Sequence, residues 1–212
     1  MSKAYLLVIC LLAASFTGCL DRLSGEDDDN SQINFQPETR VELKTAVDEW
    51  IEDSDSASST YGDISDWDVS NVTNMDTMFN SAESFNGDIS DWNVSSVTSM
   101  YSMFYQASSF NQDISDWDVS NVRDMGGIFS GATSFNQDIS GWDVSSVTNM
   151  YGMFRSAQSF NQDISEWDVS SVTDMEDMFY NTDDLSDENK CYIHTEFSSN
   201  DNWEYNWDEY CD

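Results

Sequence analysis

The chain has 212 residues, with 41 Asp and Glu against 7 Lys and Arg and a formal net charge of -34. That balance excludes a nucleic-acid binder and a protein that docks on anionic lipid through a basic patch, since both need clustered cations. An aromatic content of 14% excludes a disordered acidic tail, and a single histidine leaves histidine catalysis and metal clusters little material.

In chain order, Lys3 precedes a mostly apolar run from Ala4 to Phe16, followed by Thr17-Gly18-Cys19. A positive start, a short apolar core and a small residue before the cut describe a secretory signal. The run is shorter than the ~20 residues that span a bilayer as a helix. The four residues Phe16-Thr17-Gly18-Cys19 resemble the bacterial lipoprotein box, with Phe16 in the place usually held by Leu. The resemblance implies that residues 1–19 are a lipoprotein signal and that Cys19 is lipidated. The expected location is then the bacterial cell surface, by a lipid anchor alone, on the outer membrane in a Gram-negative cell. Without lipidation the protein is secreted. Residues 20–36, LDRLSGEDDDNSQINFQ, are acidic and without period and read as a solvated tether.

Residues 37–62 read as an N-terminal cap and linker. Thr39-Arg40-Val41-Glu42 is a capping box, after which Leu43, Ala46, Val47 and Trp50 form one apolar helical face.

From 63 to 187 one phrase recurs every 25 residues in five copies. Ile64, Trp67, Val69, Val72, Met75 and Phe79 of the first copy return at the same offsets in every later one, ending with Ile164, Trp167, Val169, Val172, Met175 and Phe179. A single copy cannot offset the entropy of ordering its own backbone, so the copies must stack and share a core. Within a copy, Met75, Met78, Phe79 and Ala82 are spaced i, i+3, i+4 and i+7, which suits a short helix or 3₁₀ turn. Val69 to Met75 suits a short strand. The expected fold is therefore α/β, a solenoid of stacked repeats with a parallel ladder. The phrase W-D-V-S-N-V-T-N-M-x-x-M-F, with A-x-x-F-N-Q-D-I-S behind it, resembles the repeat of BspA-like leucine-rich-repeat surface proteins, which is also abundant in mycoplasma surface lipoproteins. The resemblance implies a leucine-rich-repeat-like solenoid on a bacterial surface, with adhesion as its role, and the flanking segments are expected to close it as a helical N-terminal cap and a disulfide-bonded C-terminal cap.

Residues 188–212 leave the repeat and read as a C-terminal cap. Cys191 and Cys211 are the cysteines left once the signal and lipid site are removed, and in an exported protein they are expected to form a disulfide. Their nearness to His194 also raises a thiol or zinc reading, which falls short of the four ligands a structural zinc takes.

The repeated acids Asp63, Asp88, Asp113, Asp138 and Asp163 occupy equivalent positions, whereas an active site needs differentiated residues. Side-chain bonding within turns is the plain reading. Calcium at Asp63, Asp66 and Asp68 is the sharper one, on donor density alone. The Trp column reads as core, with an exposed stacking row as the alternative.

Positions where the copies differ are free to serve a ligand. Asp76, Tyr101, Gly126, Tyr151 and Glu176 form one such column, and Asn80, Tyr105, Ser130, Arg155 and Tyr180 another. Tyrosine among small polar residues suits adaptable recognition, so Tyr101, Tyr105, Tyr151, Arg155 and Tyr180 form the expected partner-binding surface. The expected function is a non-catalytic surface lipoprotein that binds extracellular protein or polysaccharide, with a structural coat or spacer, stiffened by calcium, as the alternative. No enzyme activity is expected, because no differentiated acid pair or deep site is visible in the repeats.

Overall fold

The computed structural model describes residues 33–211; the signal, Cys19 and residues 20–32 of the tether lie outside the described residues. Those described form an N-terminal helical cap, five stacked coils and a C-terminal cap. The cap helices are α1 (Arg40–Glu52), α2 (Ser54–Tyr61) and α3 (Asp187–Phe197). In α1 the Thr39 hydroxyl accepts the Glu42 N–H while Glu42 Oε2 accepts the Thr39 N–H, closing both orphan donors of the first turn. Leu43, Ala46 and Val47 are buried and Trp50 packs beside them, covering the first coil.

The α/β expectation for the repeats is overturned. Among the described residues no coil contains an α-helix or a strand. Pairing between coils is reduced to the isolated parallel bridges Asn74–Ser99, Ser99–Asp124, Asp124–Asn149 and Asn149–Asp174. A leucine-rich-repeat solenoid with strand and helix in each turn is therefore not the architecture.

The backbone shows why. Thr77, Ser102, Gly127, Gly152 and Asp177 all have φ between 53° and 62°, as do Ser81, Gln106, Gly131, Ser156 and Asn181 between 57° and 72°. Two left-handed residues four apart interrupt any helix each time it starts. They turn alternate N–H groups out of the coil. Met75, Thr77, Phe79 and Ser81 donate to the carbonyls of Ser99, Tyr101, Met103 and Tyr105 on the next coil at 2.7–2.9 Å. Met78, Asn80 and Ala82 close three-residue turns onto Met75, Thr77 and Phe79 instead. The apolar spacing that mimics a helix comes from these successive turns, which keep Met75, Met78, Phe79 and Ala82 on the inside. The strand fails at its start, because the Val72 N–H bonds back to the Val69 carbonyl and makes a turn there.

The same four-bond set recurs at each later junction, for example Met125, Gly127, Phe129 and Gly131 onto Asn149, Tyr151, Met153 and Arg155. A left-handed conformation costs a non-glycine residue roughly 1–2 kcal/mol, and in the first four coils each such residue secures a ladder bond that helical geometry would forfeit. The core between coils is aromatic. Phe79, Phe104, Phe129, Phe154 and Phe179 stack at 5.3–5.8 Å. The Trp column is core as well: each indole is buried, and Trp92, Trp117, Trp142 and Trp167 donate to the carbonyls of Ile64, Ile89, Ile114 and Ile139 at 2.9–3.1 Å.

These four-bond sets all point one way, against fewer backbone bonds that run back, such as the Thr98 N–H to the Thr73 carbonyl. The first coil is left with open carbonyls and the last with open N–H groups, and the caps answer each. Arg40 Nη2 donates to the Asp76 carbonyl and to Thr77 Oγ1. At the far end the Asp177 N–H donates to Glu204 Oε1 at 2.6 Å and the Phe179 N–H to Tyr205 Oη at 2.8 Å. A cation thus meets the carbonyl end and a carboxylate the N–H end, as a macrodipole requires. Phe35, read from the sequence as tether, packs on Tyr61 and Trp67 at 4.8 and 5.0 Å.

Candidate binding surface

The ladder segments of the three middle coils, residues 98–106, 123–131 and 148–156, differ in chemistry from the rest of the repeat. They carry one carboxylate, Asp124, against two guanidiniums, Arg123 and Arg155. The DIS-x-W-D segments, on another edge of the coils, carry thirteen carboxylates in five copies and no cation. Charge is therefore segregated around each of the three middle coils.

In the ladder segments the residues that vary between copies come together. Tyr101, Tyr105, Tyr151 and Arg155 line one shallow depression of about 280 Å³, shared with Ser102, Gly127, Ser130 and Gly152. Tyr101 and Tyr151 are 44% and 38% exposed. They stand on the second and fourth coils, and the third coil, bare of large side chains at Gly126, Gly127 and Ser130, makes the floor between them. Gly126 is required there: a Cβ at this position would lie 2.7 Å from Asn149 Nδ2 and 3.2 Å from Tyr101 Cδ2. Tyr180 is outside the depression and acts behind it. The Arg155 guanidinium lies 4.7 Å from the Tyr180 ring centre and pairs with Asp177, so its charge is already engaged.

Sequence reasoning does not single out Ser102, Gly127 and Gly152, while Ser130 stands in a variable column that it does name. The signal was present in the Thr77, Ser102, Gly127, Gly152, Asp177 column, which varies as freely as the tyrosine columns but is made of small residues.

The other predicted positions have different surroundings. Asp63 Oδ1 accepts from the Ser65 N–H and hydroxyl at 3.0 and 2.7 Å. Asp68 accepts from the Ser70 N–H at 3.1 Å and from Gln36 Nε2 at 2.6 Å. Asp66 ends the 3₁₀ turn Ile64–Asp66 between them. The Asp63 and Asp68 oxygens close turns, and among the described residues no three His, Cys, Asp or Glu side chains converge to hold a metal ion. The Ser70 hydroxyl and N–H hold the Asp68 carboxyl below the usual range, and Ser90, Ser115, Ser140, Ser145 and Ser170 do the same for Asp88, Asp113, Asp138, Asp143 and Asp168.

Cys191 and Cys211 are joined as a disulfide, with Cα atoms 4.9 Å apart. His194 accepts the Trp203 indole N–H at Nδ1, at 2.9 Å, and meets Asp208 through Nε2 at 3.0 Å. Thiol and imidazole are thus committed to holding the C-terminal cap. Trp203, Tyr205 and Trp207 lie on Phe179 at 5.5–6.2 Å and close the end of the core; burial among these rings pushes the Tyr205 hydroxyl well above its ordinary value.

A family model described as Mycoplasma protein of unknown function, DUF285, matches residues 51–142 and again residues 113–206. Among curated proteins and solved structures nothing matches the chain.

Proposed function

The chain belongs to the DUF285 family of Mycoplasma proteins of unknown function, and on that premise we propose that it is a non-catalytic surface module that binds extracellular partners through the ladder face of its middle coils. The observation that carries this reading is the convergence of Tyr101, Tyr105, Tyr151 and Arg155 on one depression. These residues come from positions the stack does not need, and exposed tyrosine among serine and glycine is suited to recognition at low entropic cost. The likeness of the repeat to BspA-like surface proteins supports a role in adhesion. The signal-like start and Cys19 support export and lipid anchoring at the cell surface. The recurring carboxylates Asp63, Asp113 and Asp138 accept turn hydrogen bonds and are equivalent from copy to copy, which supports binding over catalysis.

The test is binding of the purified protein to a panel of matrix proteins and polysaccharides, with and without calcium. A partner should bind saturably and be lost when Tyr105, Tyr151 and Arg155 are all changed to Ala, with the melting temperature unmoved. Binding that survives the triple change removes the assignment of this face. A blank panel in both conditions favours a coat or spacer.

A further inference from the structure

Resting on the surface-binding reading, we propose that the depression between Tyr101 and Tyr151 is a subsite for a neutral saccharide. Ser102 and Ser130 are 8% and 7% exposed and line the depression. Among the described residues no buried side-chain oxygen or nitrogen lacks a partner, so these hydroxyls are reached by solvent rather than sealed in. Both open onto the depression, where they offer donor and acceptor to a ligand carrying hydroxyls of its own.

The walls select further. Tyr101 and Tyr151 stand two coils apart, roughly 10 Å at the usual spacing of paired backbones, with one coil of floor between their rings. Such walls present flat apolar faces with a polar tip. A sugar ring, apolar on its C–H faces and polar around its rim, matches that arrangement.

Charge excludes the nearest competitors. An anionic glycan or a phosphate would need a free cation here, and the Arg155 guanidinium is held by Asp177 and Tyr180. It would also approach a molecule of net charge -34. A basic peptide would gain more from the thirteen carboxylates of the DIS-x-W-D edge than from a face whose charges nearly cancel.

The experiment is a titration of the ¹⁵N-labelled purified protein with gluco-, manno-, galacto- and N-acetylglucosamine oligomers, with polygalacturonate and polylysine as the charged arms. At least one neutral oligomer should shift the amides of Gly126, Gly127 and Ser130 saturably and leave those of the DIS-x-W-D segments in place. Tyr151→Ala should weaken that binding at least about tenfold, with the melting temperature unchanged. Gly126→Ala should weaken it as well, by displacing Tyr101 and Asn149. If no neutral oligomer moves these amides, the saccharide proposal is wrong; a protein from the matrix panel that moves them instead leaves the surface reading standing. If partners bind while these amides stay still, both readings fall. Polygalacturonate binding as tightly as any neutral oligomer also overturns the proposal, because it would show a free cation in the site.

Discussion

At the scale of single residues, the repeat is held by small polar groups that satisfy buried backbone. The Trp142 indole spans two coils to reach the Ile114 carbonyl at 3.1 Å. Replacing it with Phe keeps a ring in the core and leaves that carbonyl with the Trp117 N–H alone, and the expected loss is about 0.5–1.5 kcal/mol in denaturant unfolding. A variant as stable as the parent would show that the bond is dispensable. The turn aspartates make a second residue-scale prediction. Asp113 accepts the Ser115 hydroxyl at 2.7 Å, and its carboxyl lies below the usual range for that reason first and for the Ser115 N–H second. In Ser115→Ala its titration by carbon NMR should move up toward the ordinary aspartate value of about 3.9. The sign for stability follows from linkage: the folded value is the lower one, so the contribution is complete above the unfolded value and disappears as pH falls through the folded one.

At the scale of elements, the caps matter for polarity as much as for burial. The four-bond sets run one way and outnumber the bonds that run back, such as Thr98 N–H to the Thr73 carbonyl, so they end in open carbonyls at one side and open N–H groups at the other, and Arg40 and Glu204 answer them with opposite charge. Arg40→Ala and Glu204→Ala should each lower the melting temperature, whereas exchanging the charges, Arg40→Glu with Glu204→Arg, should be worse than the two removals together. Equal effects from removal and exchange, read by calorimetry, would rule out the dipole account. The helices show how far local rules reach. The capping box of α1 and its buried face of Leu43, Ala46 and Val47 are set by residues within one turn of each other, and they form as the pattern dictates. The repeat segment Met75–Ala82 has an equally good helical pattern and does not form a helix. Its amides find better partners on the next coil, a competition that cannot be seen from one copy.

At the scale of the whole molecule, the stack is quasi-one-dimensional, and each coil contacts its neighbours only. Deleting residues 113–137 joins Gln112 to Asp138 in the same phase and removes one whole coil. The shortened protein should still fold, since the new junction reproduces an existing one, and should unfold at lower denaturant because a set of inter-coil contacts is gone. It should also lose binding, because the deleted coil carries Gly126, Gly127 and Ser130 and its absence brings the Tyr101 and Tyr151 coils into direct contact. Retained affinity in a folded deletion would place the binding surface elsewhere.

What the sequence determined by itself is the period, the identity of the core and the existence of two caps, because each depends on residue type at a fixed offset. It also marked the tyrosine columns, since positions that drift between copies are released from the stack. What only the tertiary structure decided is the backbone path within a coil and the meeting of those columns. Left-handed conformations at Ser102 and Gln106 leave no mark in residue type, as seven of the ten ladder positions that adopt them are not glycine. The depression exists because coils two apart flank a third that carries only hydrogen or a small hydroxyl there. That juxtaposition comes from through-space stacking of segments 25 residues apart, which local pattern does not encode.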